Sequence, residues 1–344
     1  MSGLRLNVLD QSPISEGSTG PDALRNTLDL AQLTDSLGYD RYWVAEHHGT
    51  PTLACASPEV LIGPIAAATA RIRVGSGGVM LPHYSPLSVA ERFSILSGLS
   101  PGRIDLGIGR APGTDQLTML ALQRDRRQAA PNDFPEQLTE LLAYLEDRMP
   151  ADHPFARLSA TLPGIPERPE VWLLGSSPQS AIWAGELGVP YSFADFINPS
   201  GAEIAGEYRR RFQDTGRSDG PLVSVGVVAV CADTDEEAER LAASGRMSFS
   251  LLRQGSLIPV PPVEKALRYL ETRERAPSRR RAVIGSPDTV REGLEAVAAE
   301  YGAREVTILT ITHEHEARRR SYELIAEAFG LSAGREPAGV SAQP

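Results

Sequence analysis

A regular alternation constrains this chain more than any other feature. Short apolar, β-branched runs occur at residues 4–9, 39–45, 72–80, 103–109, 170–174, 191–194, 222–230 and 305–311. Segments with helical spacing of apolar residues follow them. The first such helix opens at Asp22, with Leu24, Leu28 and Ala31 on one stripe and Leu30, Leu33 and Leu37 beside it. Gly38 suits the left-handed position just past its end. Ser57-Pro58-Glu59 opens the second, with proline at a first-turn position whose N–H has no partner in any case. Further helices are predicted at 88–99, at 115–147 with a break around Pro131 to Pro135, and at 178–187, 201–215, 234–244 and 315–329. Eight strands alternating with helices predict an α/β chain folded as a (β/α)8 TIM barrel. An open doubly wound sheet is the alternative.

Two stretches fall outside this repeat. Residues 245–284 hold Pro259, Pro261, Pro262 and Pro277, then Arg279-Arg280-Arg281, between strands seven and eight. A long insertion in a compact domain is usually functional or mobile. It is read as a lid over the barrel mouth, with a solvated insertion of no catalytic role as the other reading. Residues 1–331 are expected to form one barrel domain. The tail 332–344, rich in Gly, Pro, Ala and Ser, is expected to be disordered.

Composition narrows the function classes. The formal net charge of −10 argues against nucleic acid or an anionic membrane as the main partner. No apolar run approaches the roughly 20 residues of a spanning helix. The first residues lack the apolar core of a signal peptide. With only Cys55 and Cys231 there is no disulfide framework, so a reducing, cytoplasmic setting is expected. Lys265 is the only lysine, and the other 33 of the 34 basic residues are arginine. That bias is read as a GC-rich genome, of the kind found in producers of secondary metabolites.

In a barrel of this type, chemistry lies at the C-terminal ends of the strands. After strand two come Glu46, His47 and His48. An imidazole there can hold or pass a proton near neutrality, or can simply be a hydrogen-bonded buried group. After strand three comes Gly75-Ser76-Gly77-Gly78, where glycines admit a flat ligand or merely permit a bulge. After strand four, Gly107-Ile108-Gly109-Arg110 delivers one arginine, suited to phosphate or to a surface ion pair. Its spacing fails the dinucleotide fingerprint. After strand five, Gly175-Ser176-Ser177-Pro178-Gln179-Ser180 starts a helix whose N–H groups and surplus hydroxyls suit an anion; ordinary capping needs only Ser177. His313 and His315 flank Glu314 after strand eight. No third metal ligand is visible there, so no metal site is assigned.

The order of these motifs, from Trp43-Val44-Ala45-Glu46-His47-His48 through Gly77-Gly78 and Arg110 to Ser176-Ser177, resembles the bacterial-luciferase-like family of flavin-dependent monooxygenases over about residues 4–330. The resemblance implies a barrel that binds FMN as FMNH2, supplied by a separate flavin reductase. It implies reaction with O2 through a flavin C4a-(hydro)peroxide, and hydroxylation or epoxidation of a sizeable organic metabolite, which the GC-rich signature extends to a natural product such as an aromatic polyketide. It further implies that His47 is catalytic, that Ala45 and Glu46 lie near the flavin, and that Gly77 and Gly78 form a non-prolyl cis peptide beneath the ring. Arg110 with Gly175, Ser176, Ser177 and Ser180 would take the phosphate. Light-emitting members carry cysteine where this chain has Gly109, which points to a non-luminous relative. Ser176 replaces the family's acidic residue. Dimerisation through early helices, here including residues 64–68, is implied as well. An F420-dependent reductase or dehydrogenase and a non-catalytic flavin-binding protein are the alternatives.

Overall fold

The computed structural model describes residues 3–110, 115–123, 133–199, 201–272 and 281–332. In chain order the elements begin β1 (Arg5–Asp10), α1 (Gly20–Leu37), β2 (Arg41–Val44), α2 (Pro58–Ala68), β3 (Arg73–Met80), α3 (Pro86–Leu99) and β4 (Ile104–Gly109). They continue with α4 (Gln116–Leu122), α5 (Phe134–Glu146), β5 (Glu170–Gly175), α6 (Pro178–Leu187), β6 (Tyr191–Ala194), α7 (Ala202–Arg211) and β7 (Val223–Cys231). The last are α8 (Asp235–Leu252), α9 (Val263–Glu271), β8 (Ala282–Gly285), α10 (Pro287–Tyr301), β9 (Glu305–Leu309) and α11 (His315–Phe329).

All strand pairings are parallel. β1 to β7 pair in sequence order, and β9 bonds to both β7 and β1, closing a ring of eight. β8 pairs with Val228–Cys231 of β7, outside the ring. Eight ring strands confirm the (β/α)8 barrel and exclude the open sheet. The ninth strand was not expected from the sequence. Neither was α10, the helix that returns the chain to β9.

The expected 245–284 insertion divides differently in the structure. Its first residues complete α8, α9 follows, and its last residues enter β8. Residues 273–280 of that segment, and the tail from 333, lie outside the described residues. Between α8 and α9, Val260 N–H donates to Ile14 O, and Glu16 N–H donates to Val260 O, both at 2.8 Å. Lys265 pairs with Glu16 at 2.6 Å. The segment therefore docks on the loop that follows β1, at the C-terminal face.

Strand alternation sorts residues to two faces. Leu6, Val8, Tyr42, Val44, Val74, Leu106, Ile108 and Val225 join the core between ring and helices. The interior takes the other set, in layers. Its N-terminal end is ionic. Arg41 donates to Asp105 at 2.8 Å and to Glu170 and Glu305 at 3.0 Å. Arg73 pairs with Asp105 at 2.6 Å and Glu170 at 3.2 Å, and Arg5 pairs with Glu305. Burial disfavours the Arg41 charge, but the three carboxylates outweigh it and hold the guanidinium above its ordinary range. The Arg41 guanidinium lies 4.7 Å from the centre of the Trp172 ring. Above the charges sit Leu9, Trp43, Ala45 and Trp172.

Removing one member of a buried ionic cluster strands the others without compensation. Arg41→Met is expected to lower unfolding free energy by about 3–5 kcal/mol, read as a drop in the urea midpoint by tryptophan fluorescence. Arg25→Ala, which breaks an exposed pair with Asp22, should leave that midpoint in place.

Candidate active site at the barrel mouth

The expected residues lie on four consecutive ring strands. Ala45, Glu46 and His47 follow β2, Gly77 and Gly78 lie in β3, Arg110 follows β4, and Gly175 ends β5. Ala45 N–H donates to Asp10 O at 2.9 Å, prolonging the β1–β2 pairing by one residue. The chain then turns, held by His47 N–H to Cys55 O at 3.0 Å.

His47 Nδ1 is buried without a hydrogen-bond partner. A buried unpaired acceptor or donor is costly and calls for an explanation. Burial lowers the His47 pKa below the ordinary 6.5, partly opposed by the Ala45 backbone and the Glu46 charge. The ring is thus held towards its neutral form.

The Gly77–Gly78 peptide is cis. The β3–β4 register shifts here, between Gly77 and Val79. Side chains have no room at these positions. A Cβ on Gly77 would lie 2.5 Å from Leu9 Cδ1 and 3.0 Å from Trp43 Cβ. One on Gly78 would lie 2.7 Å from Gly107 O and from Leu174 Cδ1. The pair forms a bare backbone step on top of the interior apolar layer.

Arg110 is exposed, and its guanidinium lies 5.5 Å from the Trp183 ring of α6. The helix whose first turn follows Ser177 therefore also carries the arginine's stacking partner. The serines divide their roles. Ser177 Oγ caps the helix by accepting from Ser180 N–H at 3.4 Å. Ser180 Oγ donates to Ser177 O at 2.7 Å and pairs with Tyr191 Oη at 2.9 Å, inside the wall. The hydroxyls do not converge as a trio. Ser176 remains half-buried beside the helix start, and its carbonyl accepts from Asn198 at 3.0 Å.

Glu46 is fully buried, and its carboxylate accepts from protein groups on both oxygens. Two of those partners, Tyr84 and the Met80 N–H, carry no signal in the sequence pattern. Trp183 was likewise unforeseen, since an aromatic on an amphipathic helix reads as core. His313 contacts Glu314 at 2.8 Å and Glu16 O at 3.1 Å, while His315 contacts Asp29 at 2.7 Å. Among the described residues no group of three or more metal-ligating side chains forms.

The donor set fits a flavin mononucleotide. A bare backbone step suits a flat ring, an orphaned imidazole nitrogen lies in the turn after the adjacent strand, and an arginine and a helix N-terminus each suit a phosphate.

The lowered His47 pKa carries a stability consequence. The unfolded chain binds the proton near pH 6.5 and the folded chain only below that. Stability from this group is full above pH 6.5 and falls as pH drops towards the folded value. His47→Gln should flatten that part of the curve. Urea titrations at pH 5 to 8 test this, and parallel curves for the two proteins would contradict it.

Comparison with known proteins agrees with the geometry. A family model described as luciferase-like monooxygenase matches residues 4–305. The Bacillus subtilis (strain 168) protein YwcH is 47% identical over 94% of this chain and 98% of its own. The N-acetyl-S-alkylcysteine monooxygenase of the same organism is 39% identical over 94% of this chain and 98% of its own. The structure of apo-MsnO8 superposes with a TM-score of 0.87 at 41% identity, covering 95% of this chain and 98% of that one. Motif order, closed barrel and full-length similarity agree: the chain belongs to the luciferase-like monooxygenase family.

Proposed function

We propose that this protein is an FMNH2-dependent, two-component-type monooxygenase that inserts one atom of O2 into an organic substrate. The observation that carries this reading is the presence, at the ends of β2 to β5, of an unpartnered His47 Nδ1, the bare Gly77–Gly78 step and an exposed Arg110 stacked on Trp183 of α6, the helix that Ser177 caps. Reduced flavin, when bound, supplies the electrons that activate oxygen. Gly77 and Gly78 floor its ring, with Ala45 at the edge. Arg110, Ser176 and the first turn of α6 hold its phosphate. His47, kept neutral by burial, takes up or holds a proton at Nδ1. A separate reductase supplies the reduced flavin, and the segment docked on Ile14 and Glu16 covers the mouth.

The arginine-biased composition extends the reading to a secondary metabolite such as an aromatic polyketide. The relative named for N-acetyl-S-alkylcysteine supplies a thioether class to assay beside it. We also infer a homodimer. On α2 and α3, Val60 is 67%, Ile95 48% and Leu99 76% exposed. Nearby is a groove of about 470 Å³ lined by Gly63, Ala67 and Leu96. An apolar face of this kind on a soluble chain marks a contact surface.

Anaerobic titration with FMNH2, followed by mixing with oxygenated buffer, tests the function. The expected result is tight binding and a transient absorbance at shorter wavelength than oxidised flavin. Arg110→Ala should weaken FMN binding by roughly 10–100-fold, the worth of a charge-assisted contact. His47→Ala should cut coupled turnover by about 10²–10⁴-fold, the usual share of a positioned acid or base. Hydride transfer with F420 and no oxygen uptake would overturn the reading. For the dimer, Leu99→Glu should shift sedimentation from dimer to monomer. A wild-type protein that sediments as a monomer refutes that assignment.

A further inference from the structure

Glu46 makes three contacts that together dictate the state of a neighbouring histidine. Its Oε1 lies 2.6 Å from His48 Nε2 and 3.0 Å from Tyr84 Oη. Its Oε2 accepts from Met80 N–H at 2.9 Å. A backbone N–H can only donate. The Tyr84 phenol is pushed well above the ordinary tyrosine range, first by burial and then by the Glu46 charge, so it keeps its proton and donates. Both Glu46 oxygens thus accept from these fixed donors, which makes His48 Nε2 the donor in the remaining contact.

We propose that Glu46 is a positioning residue that keeps a proton on His48 Nε2 and ties the His47–His48 turn to the Gly77–Gly78 step, with Tyr84 as its second anchor. The tie is short. Met80 lies two residues beyond Gly78, and Tyr84 follows the single 3-10 turn Leu81–His83. Tyr84 is itself fixed from outside. The Arg92 guanidinium sits 5.1 Å from its ring, and Arg92 pairs with Glu59 at 2.7 Å, linking α3 to α2. His83 meets the His48 ring edge-on at 5.8 Å. The distance between catalytic turn and ring floor is thus set by one buried carboxylate. Glu46 acts through His48 and Met80, and both its carboxylate oxygens are engaged by protein groups. Only the catalytic consequence rests on the proposed monooxygenase function; the protonation pattern of His48 stands apart from it.

Two measurements test the proposal. The chain has six histidines, so ¹⁵N-histidine NMR can resolve His48, assigned by His48→Gln. A proton on Nε2 is expected, and an Nδ1-protonated neutral ring overturns the proposal. Turnover and FMN affinity are then compared for Glu46→Gln and Tyr84→Phe. Misplacing a catalytic group costs roughly 100-fold in rate, so a loss of about that size in kcat is expected for Glu46→Gln. Tyr84→Phe should lose roughly 10-fold, because one anchor remains. FMN affinity should stay within about threefold in both. Should Glu46→Gln fail to fold, Tyr84→Phe decides, since unchanged kcat with an unshifted His48 signal refutes the tie. A wild-type protein with no oxygenase turnover sinks the proposed function, while the NMR result still decides the His48 assignment.

Discussion

The Arg41 guanidinium meets carboxylates from three strands, and the barrel is organised around that contact. A ring of eight strands encloses an interior that layers of side chains must fill. Arg41 spans it at one end, reaching Asp105, Glu170 and Glu305. Buried charge is tolerated only when well paired, so these contacts leave little freedom in how β2, β4, β5 and β9 are staggered. The aromatic layer follows from the same groups. Trp43 Nε1 donates to Asp105, and Trp172 Nε1 donates to Glu170, both at 2.9 Å. The two indoles meet edge-on at 5.3 Å. Trp43 Cβ then underlies Gly77. The height of the Gly77–Gly78 step is therefore set from below, by the buried ionic cluster.

From the other side, the rim is knitted by main-chain bonds. The turn after β2 is held by Cys55, the Thr52–Ala54 stretch bonds to Ser12 and Ile14, and Ile14 bonds to Val260. His47 thus sits in a frame that runs through three loops. Cys55 lies in that frame as an inert group, its thiol pushed up to about 12, mainly by burial. The outer wall beneath α11 repeats the logic of paired burial. Asp10 accepts from Tyr42 Oη, from Ser12 N–H and from Arg318.

The barrel was legible because period-two apolar runs and helical stripes alternate without interruption through the first four units. The rim residues were legible because polar groups that follow an apolar strand can only be at its end. What stayed hidden has a physical cause in each case. The interior charges Arg41, Asp105 and Glu170 each look like solvated residues flanking a strand, and only ring closure brings them together. Ser180 reads as a donor at a helix start, but the wall behind β5 offers it Tyr191. The resemblance places Glu46 near the flavin, but no local pattern shows that its carboxylate meets Tyr84 and the Met80 N–H, which lie more than thirty residues on. β8 was missed because four residues paired with half of another strand carry no periodic signal of their own.

That short strand separates two duties within β7. Val223 to Val228 complete the ring, bonding to β6 and β9, while Val228 to Cys231 run on to carry β8. The segment between α8 and β8 is therefore held by β8 on an extension of the barrel and by Val260 on the loop after β1, and not by the ring's closing pairs. Its length and composition can be exchanged, by mutation over evolutionary time or by loop grafting at the bench, without opening a ring hydrogen bond. The pairing that carries this segment and the pairing that closes the ring are, in this architecture, separate.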